Sequence, residues 1–351
     1  MNPRKIKSIC IVRLTALGDC INAFGLLNAL KKEKEDLRLL WLIDKRFAPL
    51  FRDHEGGDIV PMLAVDFKKH GVWEAAHFIK KSLKSQVFDY AFALQTSIKA
   101  SICLRSVKAR VKLGYDSERA REAQFIFIDE KVPSPQNPHV LAGFMAFAEH
   151  IGFDDLRPSW NFKLDESETS PYKDEFQDAH VFTISPASAK VSKNWTVQGY
   201  IDVARHALEK DFKIVLVGSD SPIDLALCEA IAAGLNRQCL NLCGRTSLRQ
   251  LAAVISLSSV VLSPDSAAMH LASALNVPVI GLFAIHNPKR VGSWNYPDLW
   301  VSVYNECASE ERVDRNISWR YRVKNPHAME RIDSGTVIGT FQEVLDKYIL
   351  R

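Results

Sequence analysis

A mostly apolar run at 6–14, rich in Ile and Val, predicts a buried strand near the start of the chain. The loop Thr15-Ala16-Leu17-Gly18-Asp19 follows. Ile21, Phe24, Leu26, Leu27 and Leu30 then recur at helical spacing up to the charged Lys31-Lys32-Glu33-Lys34. Strand-like runs return at 37–43, 89–94, 110–113 and 125–128. Strands alternating with helical stretches predict parallel βαβ units in a doubly wound α/β sheet.

The pattern breaks at 154–178, where DDLRPSW and LDESETSPYKDEFQD are acidic, polar and poor in aliphatics, as a linker would be. It restarts with strands at 180–185, 212–217, 260–262 and 277–283, and helices at 197–210, 223–233, 248–256 and 267–275. The expected organisation is an N-terminal domain at 1–165, a linker at 166–178 and a second α/β domain at 179–333. A last amphipathic segment at 334–351 sets Val337, Phe341, Val344, Leu345 and Ile349 on one face. Periodicity does not say which domain it packs on.

A length of 351 residues fits two domains. With 47% hydrophobic and 25% charged residues the composition is that of a globular protein, neither disordered nor fibrous. The seven cysteines are scattered without a C-x-x-C pair, and Cys239 and Cys243 lack nearby histidines, so free thiols in a reducing cytosol are expected and no metal site. The basic N-terminus has an apolar stretch cut by Arg13 and no small-residue cleavage site, so no signal peptide is expected. Nowhere do about 18 apolar residues run without a charge. The net charge of +4 is unevenly spread: residues 1–150 hold 24 Lys and Arg against 17 Asp and Glu, and the remainder 21 against 24. The basic first half points to an anionic partner there or to a solvated basic face. Nucleic acid is not the expected partner, because the basic segment at 312–331 is short and lies beside Glu306, Glu310, Glu311 and Asp314.

In open α/β sheets ligands bind beyond the carboxyl ends of the strands. Three stretches have that placement. Gly18 and Asp19 follow the first strand; Asp19 is either a general base toward a sugar hydroxyl or a helix N-cap. SPASAKVSKNW at 185–195 follows the second domain's first strand. Its Ser188, Lys190 and Lys193 either hold a diphosphate or form a solvated polar loop. SPDSAAMHLASAL at 263–275 places Asp265 at a strand end, with the backbone N–H groups of Ser266, Ala267 and Ala268 opening a helix suited to phosphate. His270, one turn in, faces either ligand or core. G-x-G-x-x-G and P-loop patterns are absent, which argues against an ordinary dinucleotide or P-loop site.

These stretches, in this order, resemble those of the ADP-heptose:lipopolysaccharide heptosyltransferases, glycosyltransferase family 9. Arg13-Leu14-Thr15-Ala16-Leu17-Gly18-Asp19 is similar to the family's R-x-S-A-L-G-D. Pro186-Ala187-Ser188 through Lys193-Asn194-Trp195 matches its P-G-A-x-x-x-x-K-x-W-P in part. Asn241 through Ala252 resembles N-L-x-G-x-T-S-L-x-E-L-A and includes Thr246. Asp265 to Leu275 resembles D-S-G-P-M-H-L-A-A-A-L, with Ala267-Ala268 in place of Gly-Pro. The F-G-P-T-D-P that follows in the family is here Phe283-Ala284-Ile285-His286-Asn287-Pro288.

The resemblance implies a GT-B fold, two Rossmann-like domains facing across a cleft, with the last helix crossing back to the N-terminal domain. It implies inverting, metal-independent transfer of heptose from ADP-heptose to the lipopolysaccharide inner core, with no cofactor beyond the nucleotide sugar. Asp19 would be the base and Lys193 would stabilise the departing ADP. Gly18, Ser188, Lys190, Thr246, Asp265, Ser266, Ala267, Ala268 and His270 would bind the donor. A lipid-linked anionic saccharide acceptor would engage the basic first half, with Arg46, Lys68, Lys69, Arg105, Arg119 and Arg121 as candidates by charge and position. The location implied is cytoplasmic, with peripheral contact at the inner membrane. The departures at 267–268 and 284–288 keep two alternatives in view: a GT-B transferase for another nucleotide sugar, and a catalytically silent GT-B binding protein in envelope assembly.

Overall fold

Every position of the first strand, Ser8–Val12, is buried, as a parallel sheet covered by helices on both faces requires. A computed structural model describes residues 3–69, 71–177, 179–311 and 318–349; Arg312 and Arg315 of the basic segment lie outside the described residues. The chain divides into two units, Met1–Lys163 and Leu164–Arg351.

In the first unit β1 (Ser8–Val12), β2 (Arg38–Asp44), β3 (Met62–Val65), β4 (Phe88–Ala93), β5 (Ala109–Tyr115) and β6 (Glu130–Val132) form one parallel sheet in the order β3-β2-β1-β4-β5-β6. The chain reverses its direction of travel between β1 and β4, which opens a crevice at their carboxyl ends. Helix α1 (Leu17–Glu33) packs on α4 (Val140–His150), and α2 (Val72–Ser82) on α3 (Ile98–Arg105). Phe24 of α1 meets Trp41, Phe51 and Phe162 in an aromatic cluster, with ring centroids 5.0 to 6.4 Å apart. At Gly25 a Cβ would stand 2.6 Å from the Trp160 ring, whose Nε1 donates to the Ile21 carbonyl at 2.7 Å. Glycine is what lets the indole lie flat on the helix.

The second unit repeats this plan. Its elements are α5 (Glu166–Phe176), β7 (Val181–Ile184), α6 (Val197–Leu208), β8 (Lys213–Leu216), α7 (Pro222–Gly234), β9 (Leu240–Asn241), α8 (Leu248–Ser256), β10 (Val260–Pro264), α9 (Ala267–Ala274), β11 (Val279–Phe283), α10 (Pro288–Val291), β12 (Trp300–Ser302), α11 (Tyr304–Glu311) and α12 (Ser334–Val344). The parallel sheet runs β12-β11-β10-β7-β8-β9. Counted within the unit, this is the strand order of the first sheet, so its reversal lies between β7 and β10.

Three expectations are corrected. The run at 125–128 is not a strand: residues Gln124–Ile126 form a 3-10 turn, with Phe125 and Ile126 exposed, and the strand comes later as β6. The acidic stretch expected as a linker is helix α5, started by a capping box of Asp165 and Glu168. It buries Phe176 and is tied to α8 by an ion pair of Glu168 with Arg249. The last helix, α12, packs on α6, β11 and β12 of the second unit and adds Val337, Phe341 and Val344 to its core. Its apolar face is thus used there, where the resemblance placed it on the first.

Candidate active site

At the reversal point of the first sheet, β1 delivers Arg13 and the helix behind it delivers Asp19. The Arg13 guanidinium donates through Nη1 to the Leu94 carbonyl at the end of β4, at 2.7 Å, and through Nη2 to Asp19 Oδ2. Phe144 of α4 lies beneath the guanidinium, 5.4 Å from its carbon. Gln95 fastens the intervening loop. Its Oε1 accepts from the backbone N–H groups of Leu14 and Thr15 at 2.9 and 3.1 Å, while its Nε2 donates to Ser97 Oγ at 2.9 Å. Asp19 is the third residue of α1, and the N-cap position is Ala16, which makes no side-chain cap. The N-cap alternative is therefore not the one realised. The Asp19 side chain is 32% exposed, and its Oδ1 has no protein partner among the described residues. A carboxylate fixed through one oxygen and open at the other is suited to take a proton.

The six cationic candidates separate. Arg46 grips the buried Asp44 at the end of β2 through two bonds of 3.0 and 2.8 Å. Burial opposes ionisation of Asp44, but the Arg46 bonds hold its carboxyl below the usual value. Lys68 and Lys69 are exposed beyond β3, their backbone N–H groups donating to Asp66 Oδ1 at 3.1 Å. Lys69 lines a cavity of about 370 Å³ with Lys45, Arg52, Asp66, Pro49 and Phe78. Arg121 is exposed in the loop after β5. Two candidates are corrected. Arg119 is buried against Gly143, its Nη2 donating to the Asn137 carbonyl at 3.2 Å. Arg105 ends α3, which runs back from the carboxyl edge, so it sits at the amino edge of the sheet. Lys31 and Lys32 of α1 and Lys80 and Lys81 of α2 also occupy last turns. Much of the basic excess therefore complements helix carboxyl ends on the edge opposite Asp19.

The second unit gathers its site around Asp265, directly after β10. Ser188 Oγ donates to the Asp265 carbonyl at 2.9 Å and Lys193 Nζ to the same carbonyl at 2.6 Å. Lys193 also reaches Asp265 Oδ2 at 3.1 Å, and His286 Nδ1 lies 2.6 Å from that oxygen. Burial works to raise the Asp265 carboxyl. The His286 hydrogen bond and the charges of Lys193, His286 and His270 outweigh it and hold the group well below the usual carboxylate range. His270 is buried in α9. Ser266 occupies the N-cap of α9 with no side-chain cap bond, and bonds Ser263 at 2.7 Å instead. The N–H groups of Ala267 and Ala268 thus open an uncapped helix, and uncapped N-termini attract phosphate. Lys190 is exposed nearby, and the charge of Arg322, then burial and Lys193, push its ammonium below the ordinary value. Lys190, Lys193 and Arg322 in the neighbourhood of one carboxylate leave it positive, which suits a diphosphate. Thr246 stands after β9, two strands from the reversal point, outside this cluster.

Sequence reasoning did not single out Gln95, His286 or Arg322 as site residues. Arg322 faces His286 in an antiparallel bridge, a contact across 36 positions that no local pattern signals. For His286 the signal was the departure at 284–288 itself.

A profile of glycosyltransferase family 9 (heptosyltransferase) matches residues 76–319. The lipopolysaccharide core heptosyltransferase OpsX of Haemophilus influenzae is 33% identical over 342 residues, 96% of this chain and 97% of that protein. The chain belongs to glycosyltransferase family 9. Lipopolysaccharide heptosyltransferase 3 of Escherichia coli is a more distant relative, 24% identical over 85% of this chain and 90% of its own length. Among solved structures, a family 9 glycosyltransferase of Veillonella parvula superposes with a TM-score of 0.78 at 17% identity, covering 97% of each chain. The E. coli heptosyltransferase WaaC with ADP gives 0.71 at 16% identity, over 96% of this chain and 99% of that one. The fold is that of these GT-B enzymes, and this family 9 protein is a glycosyltransferase.

Proposed function

We propose that this family 9 glycosyltransferase moves a heptose from ADP-heptose to the inner core of lipopolysaccharide, with inversion and without a metal ion or further cofactor. The observation that carries the reading is the 33% identity to a lipopolysaccharide core heptosyltransferase along nearly the whole length of both chains. The two sites supply the chemistry. Asp19 takes the proton of the acceptor hydroxyl as that oxygen attacks the anomeric carbon. The bond to the phosphate oxygen breaks, and the negative charge arriving on ADP meets Lys193, Lys190 and the uncapped N-terminus of α9. Asp265 accepts hydrogen bonds from sugar hydroxyls. The acceptor is a lipid-linked anionic saccharide, met by Lys68, Lys69 and Arg121 at the carboxyl edge and served at the cytoplasmic face of the inner membrane. Among the described residues no helix is long and apolar enough to cross a membrane.

The altered loop at 284–288 favours one rival, a transferase for a different nucleotide sugar. Calorimetry against ADP, UDP and GDP and their sugars separates the two: ADP and ADP-heptose are expected to bind, and preference for UDP or GDP overturns the donor. Asp19→Asn is expected to abolish transfer and keep ADP binding. Near-normal turnover would remove Asp19 as base, and retained β-configuration at the anomeric carbon of a β-linked donor would remove inversion.

A further inference from the structure

The loop between β11 and α10 carries His286 where the family's F-G-P-T-D-P stretch has threonine. The residue is buried, 9% exposed, and its Nδ1 lies 2.6 Å from Asp265 Oδ2. Lys193 Nζ approaches the same oxygen at 3.1 Å. Both partners therefore converge on Oδ2, and Oδ1 of Asp265 has no protein partner among the described residues. A carboxylate clamped on one oxygen by two donors from different loops cannot rotate, so the direction of its free oxygen is fixed. Ser188 and Lys193 also hold the Asp265 carbonyl, which fixes the backbone under it.

We propose that His286 is a positioning residue for sugar recognition, donating Nδ1–H to Asp265 so that Oδ1 is presented to a hydroxyl of the donor's sugar. This rests on the reading of the Asp265 site as the donor site, and it adds which part of the donor the loop governs. The nucleotide and diphosphate are bound by other groups, Lys190, Lys193 and the start of α9. Loss of His286 thus falls on discrimination of the sugar, with ADP itself bound as before. The chemistry predicts an isostere rule as well. Asparagine places an amide N–H close to where imidazole holds Nδ1, whereas glutamine places it nearer Nε2. Leucine fills the volume and donates nothing.

The test is calorimetric titration of wild type, His286→Leu, His286→Gln and His286→Asn with ADP and with ADP-heptose, without acceptor. His286→Leu and His286→Gln are expected to bind ADP-heptose roughly tenfold more weakly than wild type, the scale of a lost hydrogen bond to a charged group. Their affinity for ADP should be unchanged, and His286→Asn should recover most of the loss for ADP-heptose. Equal weakening toward ADP and ADP-heptose overturns the proposal, because it marks a general disturbance of the site. Equal behaviour of the Asn and Gln variants also overturns it. Failure of wild type to bind any ADP-sugar overturns the donor reading and this proposal together. Normal ADP-heptose binding by His286→Leu overturns the proposal alone.

Discussion

Replacing Lys193 by methionine removes the ammonium and keeps most of the stem. The Lys193 and Asp265 side chains are 13% and 14% exposed, so the pair is shielded from solvent, and cutting one partner from such a pair costs about 3–5 kcal/mol. His286 remains on Asp265 Oδ2 at 2.6 Å and keeps the carboxylate partly compensated, which lowers the expected loss to about 2–4 kcal/mol. For a unit of this size that corresponds to a fall in Tm of roughly 5–15 °C. The assay is urea unfolding followed by intrinsic fluorescence on wild type, Lys193→Met, Asp265→Asn and the double variant. The coupling expected between the two sites is about 1.5–3 kcal/mol. The pH dependence follows from the depressed carboxyl of Asp265. Its folded value lies below the unfolded one, so its contribution is complete above the unfolded value near ~4 and is lost as pH falls through the folded value. The advantage of wild type over Asp265→Asn should be flat above about pH 5 and shrink below about pH 4. Coupling below about 0.5 kcal/mol, or an advantage that grows on acidification, would refute the account of this cluster.

Gly25→Ala drives a methyl into the Trp160 ring and should destabilise the first unit by about 1–3 kcal/mol, read by denaturant midpoint; an unchanged midpoint would show that Trp160 moves aside freely. Glu168→Gln should loosen α5 from α8, because Arg249 and the capping box both use that carboxylate. The Arg249 bond holds Glu168 below its ordinary value against burial, so the difference from wild type should fade as pH drops below about 4, and persistence of the full difference at pH 3 would exclude the ion pair as its source. Arg105→Ala, at the amino edge, should leave the KM for acceptor unchanged while Arg121→Ala raises it by several-fold; the reverse ranking would contradict the placement of the two arginines.

The parts legible in the sequence are those where burial is continuous or the helical stripe unbroken. β1, β7, β10 and β11 are buried along their whole length, and such strands stand out as runs of Ile, Val and Leu. The helix α5 is not legible, because Phe176 is its one buried residue and Pro171 interrupts it; what holds it is the single anchor of Phe176, with Tyr172 beside it, the Asp165 cap and the Glu168–Arg249 pair, none of which leaves an apolar period. The run at 125–128 misled because Phe125 and Ile126 are apolar yet exposed. Asp19, Ser188, Lys193 and Asp265 are the candidates that a sequence can offer, because each lies in a stretch after a strand and carries a residue type suited to the chemistry. Gln95 and His286 also follow strands, β4 and β11, but it takes the strand order to bring them beside these loops, and Arg322 arrives through its bridge to His286.

The lysines at the carboxyl ends of α1 and α2, with Arg105 at the end of α3, set positive charge along the amino edge of the first unit's sheet, the edge away from Asp19. Within about one Debye length, roughly 30 Å at 0.01 M salt, an anionic bilayer would pull on that edge, against the contacts proposed for a lipid-linked acceptor at the carboxyl edge. Orientation and chemistry are then opposed, and salt relieves the opposition. Transfer to vesicle-bound acceptor should quicken as ionic strength rises from about 0.01 M to about 0.15 M, while transfer to a delipidated, soluble acceptor should slow or stay level over the same range.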